Sequence, residues 1–424
     1  MPEDFLHFIW LYQLFDHSNI LSSSGERIQI LSPGIHNHNS GPDFSEARIK
    51  IDETLWIGNI EIHVLSSDWF LHQHQYDPAY SNVILHVVFE DDLKGKENKL
   101  SHLPTIQLKG KIDQSKFLQW QRLNKRTSWL PCEKFIGKVP SIVISQMVTR
   151  SAIDRLERKV EDVEIVLQRL NGHWDNALMQ TVITSIGSKV NKEAFRSLAA
   201  LLPYEYIRKN EDFPLKLEAL VFGIAGFLEG ELKDNYPNEL KDEFNFLRRK
   251  HEYKTMNTVS WKFMRMRPPN FPTIRIAQLT GIFSNWSLFS KQLFYEQDIS
   301  TIKYCFENEI NSYWYTHFRF DKLARSRSKR MGKTMVNNIL INGVVPFLYA
   351  YGKLHDEQRF IQGALSLLEE LKPESNSIMT QWKNRGVEAK SALESQGLLE
   401  LKNNFCSSKK CLSCKIGVWI LNPN

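Results

Sequence analysis

The sequence predicts an α+β protein, in which an N-terminal core with the element order α-β-β-β-α-β precedes a large all-helical domain. Short runs that alternate apolar and polar residues, as strands do, lie before about residue 110. From about residue 141 onward, apolar residues recur at helical spacing, and no strand pattern of comparable strength follows. The length of 424 residues is enough for two or three domains.

Each element of the core follows from a local pattern. Apolar residues at helical spacing predict a first helix over Glu3–Phe15, and alternation predicts a strand over 27–31. Two alternating runs, 44–51 and 55–64, are joined by a polar turn and predict a β-hairpin. The remaining elements are a short helix from Ser66 or Ser67 to about residue 75, a buried strand over 82–89, a strand over 105–108 and a helix over 114–124.

Composition places the chain among folded globular proteins, with 42% hydrophobic residues and only 20 Gly and 16 Pro. The longest strongly apolar stretch, 219–228, is too short to span a membrane. The N-terminus lacks the basic start and apolar run of a signal peptide, so we expect a cytoplasmic protein with no membrane partner. The predicted domains are residues 1–130, a helical domain over 131–402, and a cysteine-containing segment, 403–424, that packs back on the fold.

Charge and histidine are unevenly distributed. Residues 1–100 contain 6 Lys and Arg against 15 Asp and Glu, whereas the remainder contains 48 against 33. Eight of the 13 histidines also lie in that acidic segment. Carboxylates and imidazoles together are suited to a metal site, and a basic remainder is suited to a polyanionic partner.

The predicted hairpin brings acidic residues together. Asp43 precedes its first strand, and Glu61 and His63 lie near the end of its second. Residues two apart on a strand share a face, and cross-strand pairing can set the carboxylates of Asp43 and Glu61 side by side. Two converging carboxylates repel unless a cation lies between them, and Mg²⁺ or Mn²⁺ prefers such oxygen ligands.

This arrangement resembles the PD-(D/E)xK nuclease superfamily, whose core has the same order of elements. The resemblance implies a metal-dependent phosphodiesterase acting on DNA, with Asp43 and Glu61 as ligands. His63 would stand at the position of the usual lysine, and Glu3 on the first helix could supplement the metal shell.

In related nucleases the helix after the third strand presents a polar residue to the phosphate. That part could fall to His72, His74 or Tyr80, and the sequence does not choose between them. Asp68, in the first turn of this helix, and His86, on the following strand, are further supporting candidates; a histidine inside an apolar strand is more often a hydrogen-bonded core residue than a ligand.

The whole chain also resembles an uncharacterised bacterial family known as a domain of unknown function. The matching stretches are GPDF at 41–44, EIHVLSSDW at 61–69, VILHVV at 83–88, RMRPPNFPTIRIAQL at 265–279, VVPFLYAYGK at 344–353 and CLSCKIG at 411–417. The resemblance spans nearly the full length and implies no activity.

Three cysteines lie close together near the end of the chain, as Cys406-x4-Cys411-x2-Cys414. Such spacing is suited to zinc or to a [4Fe–4S] cluster, either of which needs a fourth ligand. Cys132 is the first candidate for that ligand, and Cys305 is the second.

Basic residues of the helical part predict contacts to nucleic acid. One group surrounds a proline-rich helix start, and the other lies in a basic run that follows an aromatic patch, a combination suited to nucleic acid. These residues are Arg265, Arg267, Arg275, Arg325, Arg327 and Arg330.

Two alternatives stay open beside the nuclease hypothesis. The first is a non-enzymatic nucleic-acid- or protein-binding scaffold whose nuclease-like core is degenerate, which the absent lysine favours. The second is a zinc hydrolase built from His36, His38, His72 and His74, although neither His-x-His pair lies in a recognisable metal-hydrolase context.

Overall fold

The computed structural model describes residues 1–37, 40–94, 103–125, 127–264 and 266–423. The chain forms two compact units, of which the first comprises Met1–Met147 with Lys402–Asn424 and the second comprises Val148–Leu401. A six-stranded sheet lies in the first unit, and the second is largely helical. The structure therefore confirms the predicted α+β class.

The first unit follows the predicted order of elements, with small changes at their ends. Its elements are α1 (Glu3–Leu11), β1 (Ile28–Ser32), β2 (Ile35–His36), β3 (Phe44–Ile51), β4 (Thr54–Leu65), α2 (Asp68–Leu71), β5 (Val83–Glu90), β6 (Thr105–Gln107) and α3 (Gln114–Lys125). The next helix, α4 (Ser141–Arg169), contains the division between the units, later than residue 130. Helix α1 ends before the predicted Phe15 because Gln13 adopts a positive φ of 52°.

The sheet has the strand order β1-β3-β4-β5-β6, and β2 also pairs with β3. Strands β3 and β4 form the predicted antiparallel hairpin, whereas β5 runs parallel to both β4 and β6. Strand β5 reaches its parallel position after the short helix α2 and two 3₁₀ turns. The C-terminal ends of β4 and β5 consequently lie at the same edge of the sheet.

Helix α1 packs against β4 through its apolar face. Phe5, Leu6, Ile9 and Trp10 are fully buried, and Phe5 also meets the ring of Phe117 at 5.2 Å between ring centroids. This packing holds the polar face of α1 beside the sheet edge at which Glu3 and the hairpin carboxylates lie.

The second unit is built from helices around one apolar core. Its helices are α5 (Trp174–Ile186), α6 (Lys192–Leu201), α7 (Tyr204–Lys209), α8 (Pro214–Ile224), α9 (Asn235–His251), α10 (Pro272–Phe283), α11 (Trp286–Lys291), α12 (Ile299–Tyr304), α13 (Tyr313–Thr316), α14 (Lys333–Ile339), α15 (Val345–Leu354), α16 (Gln358–Glu370), α17 (Ser377–Lys383) and α18 (Ala392–Glu400). A two-stranded antiparallel ribbon, β7 (His317–Arg319) with β8 (Lys322–Leu323), interrupts these helices. The ribbon is an exception to the predicted all-helical domain. Strands of three and two residues are too short to show alternation.

A final helix, α19 (Lys415–Leu421), returns to the first unit. The side chain of Gln119 on α3 donates to the carbonyl of Ile420 at 2.9 Å, and the Lys402 ammonium donates to the carbonyl of Trp129 at 3.0 Å. Within the described ranges, none of the helices combines the length and the apolar character that crossing a lipid bilayer requires.

Candidate metal centre

Asp43 and Glu61 meet because Phe44 of β3 lies opposite Ile60 of β4. The Asp43 N–H donates to Oε2 of Glu61 at 3.2 Å, and the Ile62 N–H donates to Oδ2 of Asp43 at 2.9 Å. Glu61 is only 5% exposed. The hairpin thus brings two carboxylates together at the edge of the first unit's sheet.

Helix α1 adds Glu3 and His7 to this pair. The Nε2 atom of His7 lies 3.2 Å from Oδ2 of Asp43 and 3.8 Å from Oε1 of Glu3. The sequence analysis predicts Glu3 as a supplementary metal ligand and does not include His7. The spacing could have predicted His7, because residues four apart share one face of a helix and His7 follows Glu3 by four.

Three histidines form a second group beside Glu61. The Nε2 atom of His63 lies 3.2 Å from Nδ1 of His72, and Nε2 of His74 lies 3.3 Å from Oε1 of Glu61. Behind them, Nδ1 of His63 is 2.9 Å from Nε2 of the fully buried His86. His72 and His74, between which the sequence could not choose, are therefore both beside His63.

Two groups of three side chains in the described part of the chain have ligand atoms that all lie within 4.8 Å of one another, and both are at this edge. One is Glu3, His7 and Asp43, and the other is His63, His72 and His74. We name them the carboxylate group and the histidine group. Glu61 lies between the two, because its Oε2 faces Asp43 and its Oε1 faces the histidines.

The other predicted supporting residues hold this edge in shape. An oxygen of Asp68 accepts a hydrogen bond from the Leu65 N–H at 2.9 Å, which fixes the turn from β4 into α2. The ring of Tyr80 stacks on that of His74 with 3.8 Å between centroids. Both residues position the histidine group. Burial and the charge of Glu61 raise the pKa of Tyr80 to about 12, so its phenol stays protonated.

Burial and mutual repulsion dominate the electrostatics of the centre. Burial, together with the charge of Asp43, raises the pKa of Glu61 to about 9. Burial and the neighbouring His74 lower the pKa of His63 to about 3. A protonated acid and a neutral imidazole are the forms that this site favours without a cation, and a bound divalent ion would favour the carboxylate instead.

His36 does not join His72 and His74, as the zinc-hydrolase alternative requires. Its ring lies 5.2 Å from that of His7 and stacks on Phe44. His38, the fourth member of that set, lies outside the described residues. The structure instead groups His72 and His74 with His63, which that alternative did not include.

Cys132, Cys411 and Cys414 lie near Cys406 in the first unit. Burial and the neighbouring thiols of Cys132, Cys414 and Cys411 raise the pKa of Cys406 well above its usual range. The structure describes all four of these cysteines. No three of their Sγ atoms lie as close together as the ligand atoms of the carboxylate group or the histidine group do. Cys305 is fully buried in the apolar core of the second unit, so Cys132 is the better fourth ligand.

The predicted nucleic-acid-binding arginines that the structure describes lie in the second unit, and their side chains differ in exposure and in hydrogen bonding. Arg267, Arg325 and Arg327 are exposed. Arg275 donates to Gln278 and Asn270, and burial lowers its pKa to about 10, whereas Arg330 pairs with Glu309. Arg265 lies outside the described residues.

Over residues 3–377, the sequence matches a protein family described as a protein of unknown function, DUF2851. The chain belongs to this family. The match includes both groups of the candidate metal centre and Cys132, whereas Cys406, Cys411 and Cys414 follow the matched range of the DUF2851 family. No curated protein and no solved structure matches the chain.

Proposed function

We propose that this DUF2851 protein is a metal-dependent phosphodiesterase that cleaves DNA. The observation that carries the proposal is the meeting of Asp43 and Glu61 at one edge of the sheet, within an α-β-β-β-α-β core. A buried carboxylate such as Glu61 beside a second, half-buried one is costly unless a cation compensates their charge. Their placement is therefore better explained by ion binding than by stability.

The residues present fit Mg²⁺ or Mn²⁺. Asp43, Glu61 and Glu3 offer carboxylate oxygens, which both ions prefer, and His7 adds an imidazole that Mn²⁺ accepts more readily than Mg²⁺. A bound ion would lower the pKa of a water molecule and neutralise charge on the scissile phosphate. Burial of Glu61 keeps bulk water away from the carboxylate oxygens that would hold the ion.

By the resemblance to the PD-(D/E)xK nucleases, His63 would stand at the position of their lysine. Its Nε2 atom lies 3.5 Å from Oε1 of Glu61, so it would help to place the attacking water next to that carboxylate. The lowered pKa of His63 keeps its ring neutral near pH 7. A neutral ring cannot supply the positive charge that lysine brings to the phosphate.

Basic residues of the second unit would supply affinity for the DNA backbone. The exposed Arg267, Arg325 and Arg327 are available for phosphate contacts. The basic excess lies in the part of the chain after residue 100, which has 48 Lys and Arg against 33 Asp and Glu, and such an excess suits a polyanion.

Cleavage of linear single- and double-stranded DNA by the purified protein with Mg²⁺ or Mn²⁺ tests the proposal. We expect Glu61→Gln, which keeps the side-chain shape but removes the charge, to abolish cleavage. Glu53→Gln, at the exposed turn of the same hairpin, is the matched control and should cleave normally. If the wild-type protein leaves DNA intact while it folds and binds Mn²⁺, the nuclease proposal is wrong.

A second candidate is a non-enzymatic scaffold that binds nucleic acid or protein, which the neutral histidine at the lysine position favours. Such a scaffold has no need of a cation between Asp43 and Glu61. Calorimetric titration with Mn²⁺ separates the two, because the scaffold predicts no difference between wild type and Asp43→Asn.

For the four cysteines we propose a bound zinc ion or [4Fe–4S] cluster. Four thiols near one another, three of them buried, form the donor set that either group requires. Gly417 allows the close approach of α19, because a Cβ atom there would lie 2.1 Å from the carbonyl oxygen of Cys411. An ion would draw the thiols together and fasten the chain's end to the region around Cys132.

A further inference from the structure

We infer that the histidine group, His63, His72 and His74, binds a second metal ion, of the class of Zn²⁺ or Co²⁺, beside the carboxylate group. A part for this ion in cleavage rests on the proposed function, whereas its binding does not. The three rings form a nearly equilateral triangle, with centroids 5.1, 5.3 and 5.4 Å apart. Imidazole nitrogens suit such borderline ions and not Mg²⁺.

The local chain turns so that neighbouring histidines face one point. His72 is the C-cap that follows α2, His74 begins a 3₁₀ turn, and Gln73 between them has a left-handed φ of 60°. That reversal places His72 and His74 on the same side, towards the end of β4. A non-glycine residue with positive φ is uncommon and is often found where function demands it.

The distances suit an ion. Nitrogens bound to one tetrahedral zinc lie about 3.3 Å apart, given bonds of about 2.0–2.1 Å. Nε2 of His63 and Nδ1 of His72 are 3.2 Å apart. The buried Nε2 of His74 makes no hydrogen bond, although it lies near Oε1 of Glu61. An ion at this point would satisfy all three nitrogens.

His86 completes the arrangement from behind. Ligating histidines usually donate their other ring N–H to a fixed acceptor, which leaves the metal-facing nitrogen unprotonated. His63 can do so through Nδ1 to Nε2 of the fully buried His86, at 2.9 Å. The lone pair of the Nε2 atom of His63 then faces His72. We therefore assign His86 as a positioning residue.

Glu61 links the two groups. One oxygen accepts from the Asp43 N–H, and the other lies 3.5 Å from His63 and 3.3 Å from His74. A carboxylate that faces two ions is a common bridge in two-metal hydrolytic sites. With the Nε2 atom of His63 bound to it, the second ion would take over from that ring beside the attacking water, and it would supply the positive charge that the neutral ring lacks as a substitute for lysine.

Cobalt binding tests the inference without relying on DNA cleavage. Co²⁺ bound by thiolates shows ligand-to-metal charge-transfer bands that imidazole-bound Co²⁺ lacks, so the cysteine site is counted separately. We expect His72→Ala to lose one equivalent of Co²⁺ per chain with the thiolate bands unchanged. The matched control is His251→Ala, which removes another exposed histidine and should bind like wild type.

Because His72 is exposed, its removal should leave the fold intact, and circular dichroism checks this. His74→Gln must reproduce the loss. If either variant folds and keeps the wild-type amount and spectrum of Co²⁺, the histidines are an imidazole network only and the inference is overturned. A wild type that binds this Co²⁺ yet leaves DNA intact would instead refute the proposed function alone.

Discussion

Glu218 provides a test of how the second unit buries charge. It lies on α8 with only 4% of its surface exposed, next to the Tyr236 phenol and near Glu239. Burial raises its pKa to about 7 from the usual 4.5, against the opposing effect of Tyr236. The folded chain therefore keeps a proton that the unfolded chain releases. The contribution of Glu218 to the unfolding free energy is therefore most favourable below about pH 4.5, and it is lost as the pH rises through about 7.

The size of this effect follows from the difference of pKa. Each pKa unit corresponds to about 1.4 kcal/mol. At a pH where Glu218 is charged in both the folded and the unfolded chain, it therefore lowers the unfolding free energy by about 3 kcal/mol. Glu218→Gln cannot ionise, and its unfolding free energy relative to wild type should rise between pH 5 and pH 8 by nearly that amount. Glu231→Gln, at an exposed position, should show no such trend.

Urea unfolding followed by circular dichroism at several pH values measures both variants. The comparison uses differences between variants, so titration of other groups cancels. A Glu218→Gln difference that stays constant from pH 5 to pH 8 would show that the carboxyl is not held protonated, and the reasoning from burial would be wrong.

Three further predictions concern other parts of the chain. Cys411→Ser should lower the zinc or iron content measured by mass spectrometry, whereas Cys305→Ser, in the core of the other unit, should not; equal content in both would contradict the proposed site. Trp314→Ala removes a fully buried ring that stacks on Phe222 and should cost about 3–5 kcal/mol of unfolding free energy, against less than about 0.5 kcal/mol for the exposed Tyr295→Ala. DNA binding should weaken steeply as salt rises from about 50 to 200 mM, and a flat response in fluorescence anisotropy would count against phosphate contacts.

The strands of the first unit show what local pattern can predict. The hairpin expected at 44–51 and 55–64 is found at Phe44–Ile51 and Thr54–Leu65, and the strand expected over 82–89 at Val83–Glu90. Alternation and continuous apolar runs depend only on which face is buried, so they can be read from neighbours in the chain. The ribbon of β7 and β8 lacks that signal because its strands are too short.

Part of the candidate metal centre can also be predicted from the sequence. Asp43 and Glu61 could be paired because a hairpin fixes which residues lie opposite one another. His7 could have been found from its spacing to Glu3 on α1. The meeting of α1 with the hairpin depends on the packing of α1 against β4, which no local pattern specifies.

By itself, the sequence determined the class of the fold, the hairpin that joins two carboxylates, and the three cysteines spaced for a metal. Only the tertiary structure decided that His72 and His74 both reach His63, and that Cys132 rather than Cys305 lies near the other cysteines. Periodicity and turn chemistry act between residues that are close in the chain. The contacts among these histidines and cysteines instead join segments that are distant in the chain, and burial of apolar surface brings such segments together. Because this burial is not directional, it does not specify which side chains meet until the whole core has packed.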